Sequence, residues 1–427
     1  MPTAPRRLSP TTSHPPDHDV ARELRAFLWD GRSTKRSITS VGLTRTKSRP
    51  VVVETFVNEF WTSKQRAAHS LHEVSYRACF KPQLPRFFID RFTKTGDVVY
   101  DPFMGRGTTI VEAALAGRTP AGCDINPLSA VLARPRLSPP TAEEVEARLA
   151  ALDLSHAVSY SKELEVFYHP DTLREICALR EHLMARERAG SIDAVDRWIR
   201  MVAVNRLTGH SPGFFSVYTL PPNQAASISS QVRINARRRQ TPPRRDVRVL
   251  IAAKSRSLLG DCDSETRKAL LRSTQRAQLI TGSAHATPQL ASGSVSLVVT
   301  SPPFLDVVNY AADNWLRGWF CGIDTSAVDI SMHRKVEDWQ REMTQVLREV
   351  ARVLRPGGHV AFEVGEVRGG AVKLEEAVLP CGITAGLEPR MVVINAQQFT
   401  KTANCWGVRN NSKGTNTNRI VVFRRPT

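Results

Sequence analysis

The stretch Val98-Val-Tyr-Asp-Pro-Phe-Met-Gly-Arg-Gly-Thr-Thr109 decides the fold, because it joins a short apolar segment to a helical pattern through a glycine turn. Val98 to Tyr100 has the β-branched and aromatic character of a buried strand, and Thr108 to Ala116 has the apolar composition of a buried helix. Gly105 and Gly107 let the backbone turn tightly and approach a ligand without a Cβ in between. The free N–H groups at the start of the helix favour a negatively charged group in that space.

A second strand, Ala121 to Cys123, follows this helix and ends at Asp124. Asp124 comes about 20 residues after the glycine turn, where doubly wound folds place an acidic residue on ribose hydroxyls. A packing turn with a solvated Asp124 is the alternative interpretation. The order of strand, glycine turn, helix and strand predicts an α/β fold with a doubly wound sheet.

The stretch Val298-Val-Thr-Ser-Pro-Pro-Phe304 predicts a buried strand that ends in a stiff turn. Each proline fixes its own φ and lacks an N–H donor, and a residue before proline is held extended. Ligands bind at the carboxyl ends of strands in open α/β sheets. An exocyclic amine placed there can donate hydrogen bonds to the Ser301 hydroxyl and the Pro302 carbonyl, while Phe304 offers an aromatic face to a planar base. A plain strand-ending turn is the alternative.

The chain is strongly basic, with 59 Lys and Arg against 41 Asp and Glu and a formal net charge of +18. Such a charge favours a polyanionic partner, and nucleic acid is favoured over a membrane because no apolar run is long enough to span a bilayer. The amino terminus lacks the apolar stretch of a secretory signal, and the seven cysteines are dispersed without a CxxC pair. These features predict a cytoplasmic location and argue against a disulfide framework or a metal site.

Composition divides the chain into four segments. Residues 1–50 are rich in Pro, Ser, Thr and Arg and are predicted to form a disordered basic tail. Residues 51–137 hold the glycine turn and form the first half of the sheet domain. Residues 138–276 are predicted to be a helical, charged insertion, and its position and charge favour it as the region that recognises the target site in a nucleic acid. Residues 277–427 form the second half, which holds the double-proline turn.

The insertion carries a dense basic run between Gln231 and Arg256, opposed only by Asp246. Such a concentration favours contact with phosphates, although a solvated basic face is the simpler alternative. The candidate nucleic-acid-binding residues are Arg237, Arg238, Arg239, Arg244 and Arg245.

Taken together, the two turns resemble those of the amino-directed DNA methyltransferases, which use S-adenosylmethionine. Asp101 to Thr109 is similar to the family's cofactor loop, DPFxGxGTT, and Thr300 to Phe304 is similar to its catalytic motif, (S/D/N)PP(Y/F). Phe80-Lys-Pro-Gln-Leu-Pro85 resembles the segment that closes over the methionine end of the cofactor. The resemblance covers residues 60–135 and 277–425, and it implies a seven-stranded class I methyltransferase sheet, Rossmann-like, with a large helical and basic insertion.

The resemblance also implies a role for each site residue. The methionine part of S-adenosylmethionine would be held by Lys81, Pro82, Asp101, Phe103, Gly105, Gly107 and Thr108. Asp124 would bind the ribose. Ser301 and Pro302 would bind the target amine, Pro303 would fix the turn, and Phe304 would stack on the base.

Two residues depart from the family's pattern. Arg106 stands where serine is usual, and we expect its side chain to point outward because the loop needs only its glycines. Ser283 stands where an acidic residue often contacts the adenine ring of the cofactor, which predicts weaker cofactor binding.

The expected activity is site-specific methylation of DNA, by direct transfer to a base that is extruded from the duplex. Serine at the first motif position favours cytosine N4. Adenine N6 methylation, guanine N2 methylation of RNA, and a nucleic-acid binder with a degenerate methyltransferase fold are the alternatives. No cysteine stands in a matching Pro-Cys position, which argues against methylation of cytosine C5. The expected partners are double-stranded DNA and a cognate restriction endonuclease.

Overall fold

A nine-stranded mixed sheet runs through the centre of the structure, which is a computed structural model. The structure describes residues 19–42, 50–62, 68–77, 79–156, 158–303, 310–330, 333–367, 372–396 and 417–427. The strands, in chain order, are β1 (Leu28–Trp29), β2 (Arg32–Ser33), β3 (Lys35–Val41), β4 (Val51–Asn58), β5 (Val98–Asp101), β6 (Thr119–Asp124), β7 (Gln278–Thr281), β8 (Val295–Thr300), β9 (Leu354–Val364), β10 (Glu366–Val367), β11 (Val372–Lys373), β12 (Glu388–Ala396) and β13 (Thr417–Arg424). The helices are α1 (Val20–Ala26), α2 (Gln83–Phe92), α3 (Thr108–Leu115), α4 (Leu128–Leu137), α5 (Ala142–Ala151), α6 (Pro170–Arg188), α7 (Ala194–Val204), α8 (Ile228–Arg238), α9 (Val247–Leu258), α10 (Ser264–Thr274), α11 (Tyr310–Cys321), α12 (Val336–Val353) and α13 (Leu374–Thr384).

Seven strands of this sheet have the predicted connectivity. Their spatial order is β7-β6-β5-β8-β9-β13-β12, so β5, the first of the seven along the chain, is an inner strand between β6 and β8. All seven run in the same direction except β13, which is antiparallel to both of its neighbours. The predicted doubly wound, class I methyltransferase sheet is therefore confirmed.

Helices cover both faces of the sheet. Successive residues of each central strand point to opposite faces, and both sets are apolar and packed against helices. Tyr100 and Val298 pack with α12 and α13 on one face. Val99 and Leu297 pack with α1 and α2 on the other face. The central strands are thus buried on both faces, as their continuous apolar runs require.

The amino-terminal segment is folded from Val20 to Val41, so the predicted disordered tail over residues 1–50 is wrong for this part of the chain. β3 pairs antiparallel with β4, and β4 pairs parallel with β12, which extends the sheet to nine strands. Leu24 of α1 is fully buried against this extension. β3 escaped prediction because it is an edge strand with mostly exposed side chains, and it needs few apolar residues. Residues 1–18 lie outside the described residues.

Seven helices, α4 to α10, separate β6 from β7 along the chain. Their apolar side chains join those of α3 and α11 in one continuous core. Apolar residues that recur at helical spacing in α6 and α7 are buried in this core: Ile176, Leu179, Leu183, Ile199 and Val202. The helical block therefore rests directly on the helix that follows the glycine turn. Among the described helices, none is both long and apolar enough to cross a membrane.

Candidate active site

The glycine turn and the double-proline turn lie side by side. β5 and β8 are neighbours in the sheet, with Tyr100 opposite Val298. At the edge where both strands end, the Thr300 hydroxyl donates a 2.6 Å hydrogen bond to Oδ1 of Asp101. The sheet thus brings together two turns that are far apart along the chain.

A cavity of about 270 Å³ opens between these turns. Its lining includes most of the predicted site residues, namely Asp101, Phe103, Gly105, Thr108, Asp124, Ser301 and Pro303. Pro302 is buried behind the turn and does not line the cavity. Phe304, the predicted stacking residue, lies outside the described residues.

Asp101 places a buried carboxyl group at the floor of the cavity. Burial raises the pKa of Asp101 to about 7, although hydrogen bonds from the Thr300 hydroxyl and the Phe103 N–H favour its charged form. A positive charge nearby would lower this pKa again and be held by the ionised carboxylate. The ammonium group of a bound methionine moiety fits this position.

Asp124 closes the glycine turn from the next strand. Its carboxylate accepts hydrogen bonds from the N–H groups of Gly105, at 2.8 Å, and Asn126, at 2.9 Å. Burial raises the pKa of Asp124, and these two N–H groups oppose that shift. Asp124 therefore supports the turn and also lines the cavity, where its remaining acceptor capacity can serve ribose hydroxyls.

Gly107 serves the packing of the turn and does not line the cavity. It has a φ of 77°, which disfavours a side chain, and a Cβ at this position would lie 2.7 Å from the Cβ of Ala133 in α4. The predicted direct contact of Gly107 with the cofactor is thus replaced by a close approach between two helices, because α3 begins directly after it.

Arg106 points inward, so the prediction of an outward side chain is wrong. Its guanidinium donates to the Thr108 hydroxyl at 3.0 Å and to the carbonyls of Val74, at 2.7 Å, and Phe80, at 3.3 Å. The side chain is buried, and it ties the glycine turn to the segment that precedes α2. Serine at this position could not reach these carbonyls.

A second buried guanidinium, that of Arg136 in α4, supports the same turn. It donates to the carbonyl of Leu71 at 3.2 Å and to the carbonyl of Arg106. Burial, with the neighbouring charge of Arg106, lowers the pKa of Arg136 to about 9. Sequence reasoning missed this residue, since an arginine in a helix is ordinarily exposed.

The segment before α2 lines the cavity, but with residues upstream of those predicted. Tyr76, Arg77, Cys79 and Phe80 line it. Lys81 and Pro82 do not line it, and Pro82 is the N-cap residue directly before α2. Phe80, which belongs to the same motif, lines the cavity in place of Lys81 and Pro82.

Ser301 is held by a buried carboxyl group that sequence reasoning missed. Its hydroxyl interacts with Glu363 of β9, the strand next to β8, and Asn418 of β13 donates to Glu363 at 3.1 Å. Burial raises the pKa of Glu363, and these two hydrogen bonds oppose that shift. Ser301 also lines the cavity. The Pro303 carbonyl accepts a 3.0 Å hydrogen bond from the Trp339 indole, which fixes the turn.

Another acid reaches the cavity near Ser283. Glu342 of α12 lines the cavity together with Ser283 and His285. One carboxylate oxygen of Glu342 lies 3.5 Å from Nε2 of His285, and the other is hydrogen-bonded to His333. Ser283 stands where the family usually has an acid. Glu342 of α12 brings a carboxylate to the same cavity.

The candidate nucleic-acid-binding arginines fall into two groups. Arg237, Arg238 and Arg239 are exposed at the end of α8. Arg244 is paired with Glu175, and the Arg245 backbone N–H donates to the Thr172 hydroxyl. This second pair therefore serves contacts within the insertion.

Comparisons with known proteins place the glycine turn in a recognised family. Residues 30–132 match the N6/N4 methyltransferase family model, which is described as DNA methylase. The type II methyltransferase M.MjaII of Methanocaldococcus jannaschii is 37% identical over 76 residues, which are 18% of this chain and 14% of that protein. The type II methyltransferase M.MvaI of Kocuria varians is 32% identical over 111 residues, 25% of this chain and 23% of that protein. The chain therefore matches less than a quarter of the length of these curated relatives.

Among solved structures, TrmN from Thermus thermophilus aligns over 83% of this chain and 51% of that chain, with 12% identity and a TM-score of 0.32. This likeness is too low to add to the assignment. The family match covers the cofactor loop, whose residues line one cavity with the Ser-Pro-Pro turn. The match over residues 30–132 and the two type II methyltransferases support the resemblance of the chain to the S-adenosylmethionine-dependent DNA methyltransferases of the N6/N4 family.

Proposed function

We propose that this chain transfers a methyl group from S-adenosylmethionine to N4 of cytosine in double-stranded DNA. The observation that carries the proposal is the cavity shared by the two turns, with the Asp101 carboxyl group on one strand end and the Ser301 hydroxyl on the next. The Asp101 carboxyl group suits the ammonium group of the cofactor, and the Ser301 hydroxyl suits the target amine. The cofactor, when bound, supplies an activated methyl group.

The chain's own residues would hold the cofactor at three points. Asp101 would bind the methionine ammonium, and Asp124 would bind the ribose hydroxyls. Glu342 would accept a hydrogen bond from the adenine amine, since it lines the cavity with Ser283, where the resemblance places the adenine ring.

Ser301 and Glu363 would prepare the target amine. The Ser301 oxygen would accept a hydrogen bond from the amine and donate its own proton to Glu363, with which it interacts. This bond turns the nitrogen lone pair toward the methyl group. After transfer the nitrogen is cationic and loses a proton, and Glu363, whose pKa is raised by burial, can accept it through the Ser301 hydroxyl.

Duplex DNA as the substrate is supported by the basic charge of the chain and by the exposed arginines Arg237, Arg238 and Arg239. The target base would leave the duplex to reach the cavity, as a base inside a stack is inaccessible. The proposal includes a cytoplasmic location. A cognate restriction endonuclease stays a prediction.

Incubating the purified chain with methyl-labelled S-adenosylmethionine and duplex DNA, followed by mass spectrometry of the nucleosides, tests the proposal. We expect N4-methylcytosine, and Ser301→Ala should lower its formation at least a hundredfold. The exposed Ser294, substituted by alanine, is the matched control. Formation of N6-methyladenine would contradict the choice of base, and labelling of RNA alone would contradict the choice of substrate. Cofactor binding without transfer to either would indicate a degenerate enzyme.

A further inference from the structure

The chain around α8 is unusual in its charge. No aspartate or glutamate lies between Asp196 and Asp246, whereas arginines recur through this stretch. Elsewhere in the insertion several basic side chains are paired with acids, as Lys254 is with Glu73 and Arg256 with Glu146. The positive charge around α8 is therefore not neutralised by neighbours in sequence.

α8 presents one outward stripe that the fold does not use. The exposed residues recur every three or four positions, which places them on one helix face: Ser229, Val232, Arg233, Ala236 and Arg237. Val232 is 49% exposed, although a valine inside a helix usually faces a core. The stripe combines hydrogen-bond donors with small apolar groups.

The opposite side of α8 is fixed to the protein by amide side chains. Gln231 donates to the Tyr218 carbonyl at 3.0 Å, and Asn235 donates to the Val166 carbonyl at 2.7 Å. Gln240, just after the helix, donates to the Asn235 side chain at 2.8 Å. These bonds hold the helix in one orientation, so its outward stripe is preorganised.

The start of α8 lies close to the cavity. Arg77, which lines the cavity, donates to the Gln224 side chain at 3.3 Å, and the Trp315 indole donates to the Ala226 carbonyl at 3.1 Å. From Gln224 to the first residue of α8, Ile228, the chain can span at most about 14 Å. The outward stripe is therefore within reach of a duplex whose extruded base occupies the cavity.

We propose that α8 is the helix that reads the target sequence in the major groove. The major groove admits an α-helix, and arginine pairs with guanine there while small apolar side chains contact the thymine methyl group. Arg233 and Arg237 would contact guanines, and Val232 and Ala236 would contact thymine or cytosine edges. Arg238 is held over the Tyr218 ring at 3.7 Å, and it would contact a flanking phosphate. α8 would not read double-stranded RNA in this way, because the major groove of RNA is too narrow for side chains to enter.

This inference rests on the proposed function, and one experiment separates the two. Plasmid DNA from cells that express the full chain or its variants is sequenced for modified bases. We expect Arg233→Ala or Arg237→Ala to relax discrimination at one base pair by about ten- to a hundredfold, while the total number of modified sites rises. Arg348→Ala is the matched control, since Arg348 is an exposed arginine of α12, which belongs to a different hydrophobic core from that of α8.

Two outcomes would overturn the role of α8. One is an unchanged target sequence in both arginine variants. The other is a uniform loss of modification at every site with a shallower salt dependence of DNA binding, which is the mark of phosphate contacts alone. If the unaltered chain modifies no DNA, the proposed function fails, and the inference fails with it.

Discussion

The Thr300 hydroxyl and the Asp101 carboxylate are joined by a 2.6 Å hydrogen bond, although 199 positions separate the two residues along the chain. The bond is buried, and it links the strand that ends in the double-proline turn to the strand that ends in the glycine turn. It makes the two halves of the site a single unit. A substitution in either turn is therefore expected to alter the position of the other turn.

Cofactor binding should depend on pH through Asp101. The pKa of Asp101 in the free protein is about 7, so below pH 7 the carboxyl group is protonated and must lose its proton to hold an ammonium group. Affinity for S-adenosylmethionine should fall about tenfold for each pH unit below 7, and binding should release a proton. Calorimetry in buffers of different ionisation enthalpy measures both.

Asp101→Asn should weaken binding at pH 8 and remove this pH dependence. Asp97→Asn, at the other end of β5, should keep it, because Asp97 pairs with Arg355 away from the cavity. An unchanged pH slope in the Asp101 variant would assign the titration to another group.

Glu363→Gln should lower the rate of methyl transfer by about ten- to a hundredfold and leave cofactor affinity unchanged. Glutamine keeps the size of the side chain, but it cannot take up a proton through Ser301. Single-turnover kinetics across pH 6 to 9 should show the loss of an ionisation that the unaltered chain displays. An equal rate and an identical pH profile in the variant would refute the role of Glu363 in positioning and deprotonation.

Arg106→Ala should destabilise the protein by about 2–4 kcal/mol, because several buried acceptors lose a charged donor. It should also weaken cofactor binding, since the segment that carries Tyr76 and Phe80 would no longer be tied to the turn. Urea unfolding and cofactor titration measure these effects. Arg134→Ala, an exposed change on α4, is the control and should alter neither. A variant as stable as the control would mean that the buried side chain is dispensable.

Glu342→Gln should lower the affinity for S-adenosylmethionine and for S-adenosylhomocysteine by the same factor, about tenfold, because both carry the adenine ring. Ser283→Asp, which restores the acid that the family usually has, should recover affinity in the Glu342→Gln background. Titration of both ligands with both variants tests the assignment. A loss confined to S-adenosylmethionine would place Glu342 near the sulfonium instead of the adenine.

The sequence by itself determined the strand, glycine turn and helix of the cofactor loop and the strand that ends at Ser301. These features depend on local backbone demands, such as the positive φ of Gly107 and the fixed φ of Pro302 and Pro303, which neighbouring residues encode. The doubly wound topology followed from the order of these elements.

Only the tertiary structure decided which distant side chains complete the site. Glu342 lines the cavity because α12 packs beside it, and Glu363 interacts with Ser301 because β9 lies next to β8; nothing in their local sequence marks these two residues. The inward direction of Arg106 depends on carbonyls of residues 74 and 80, and the folded β3 depends on an edge of the sheet. Such contacts follow from long-range packing, so no local pattern could predict them.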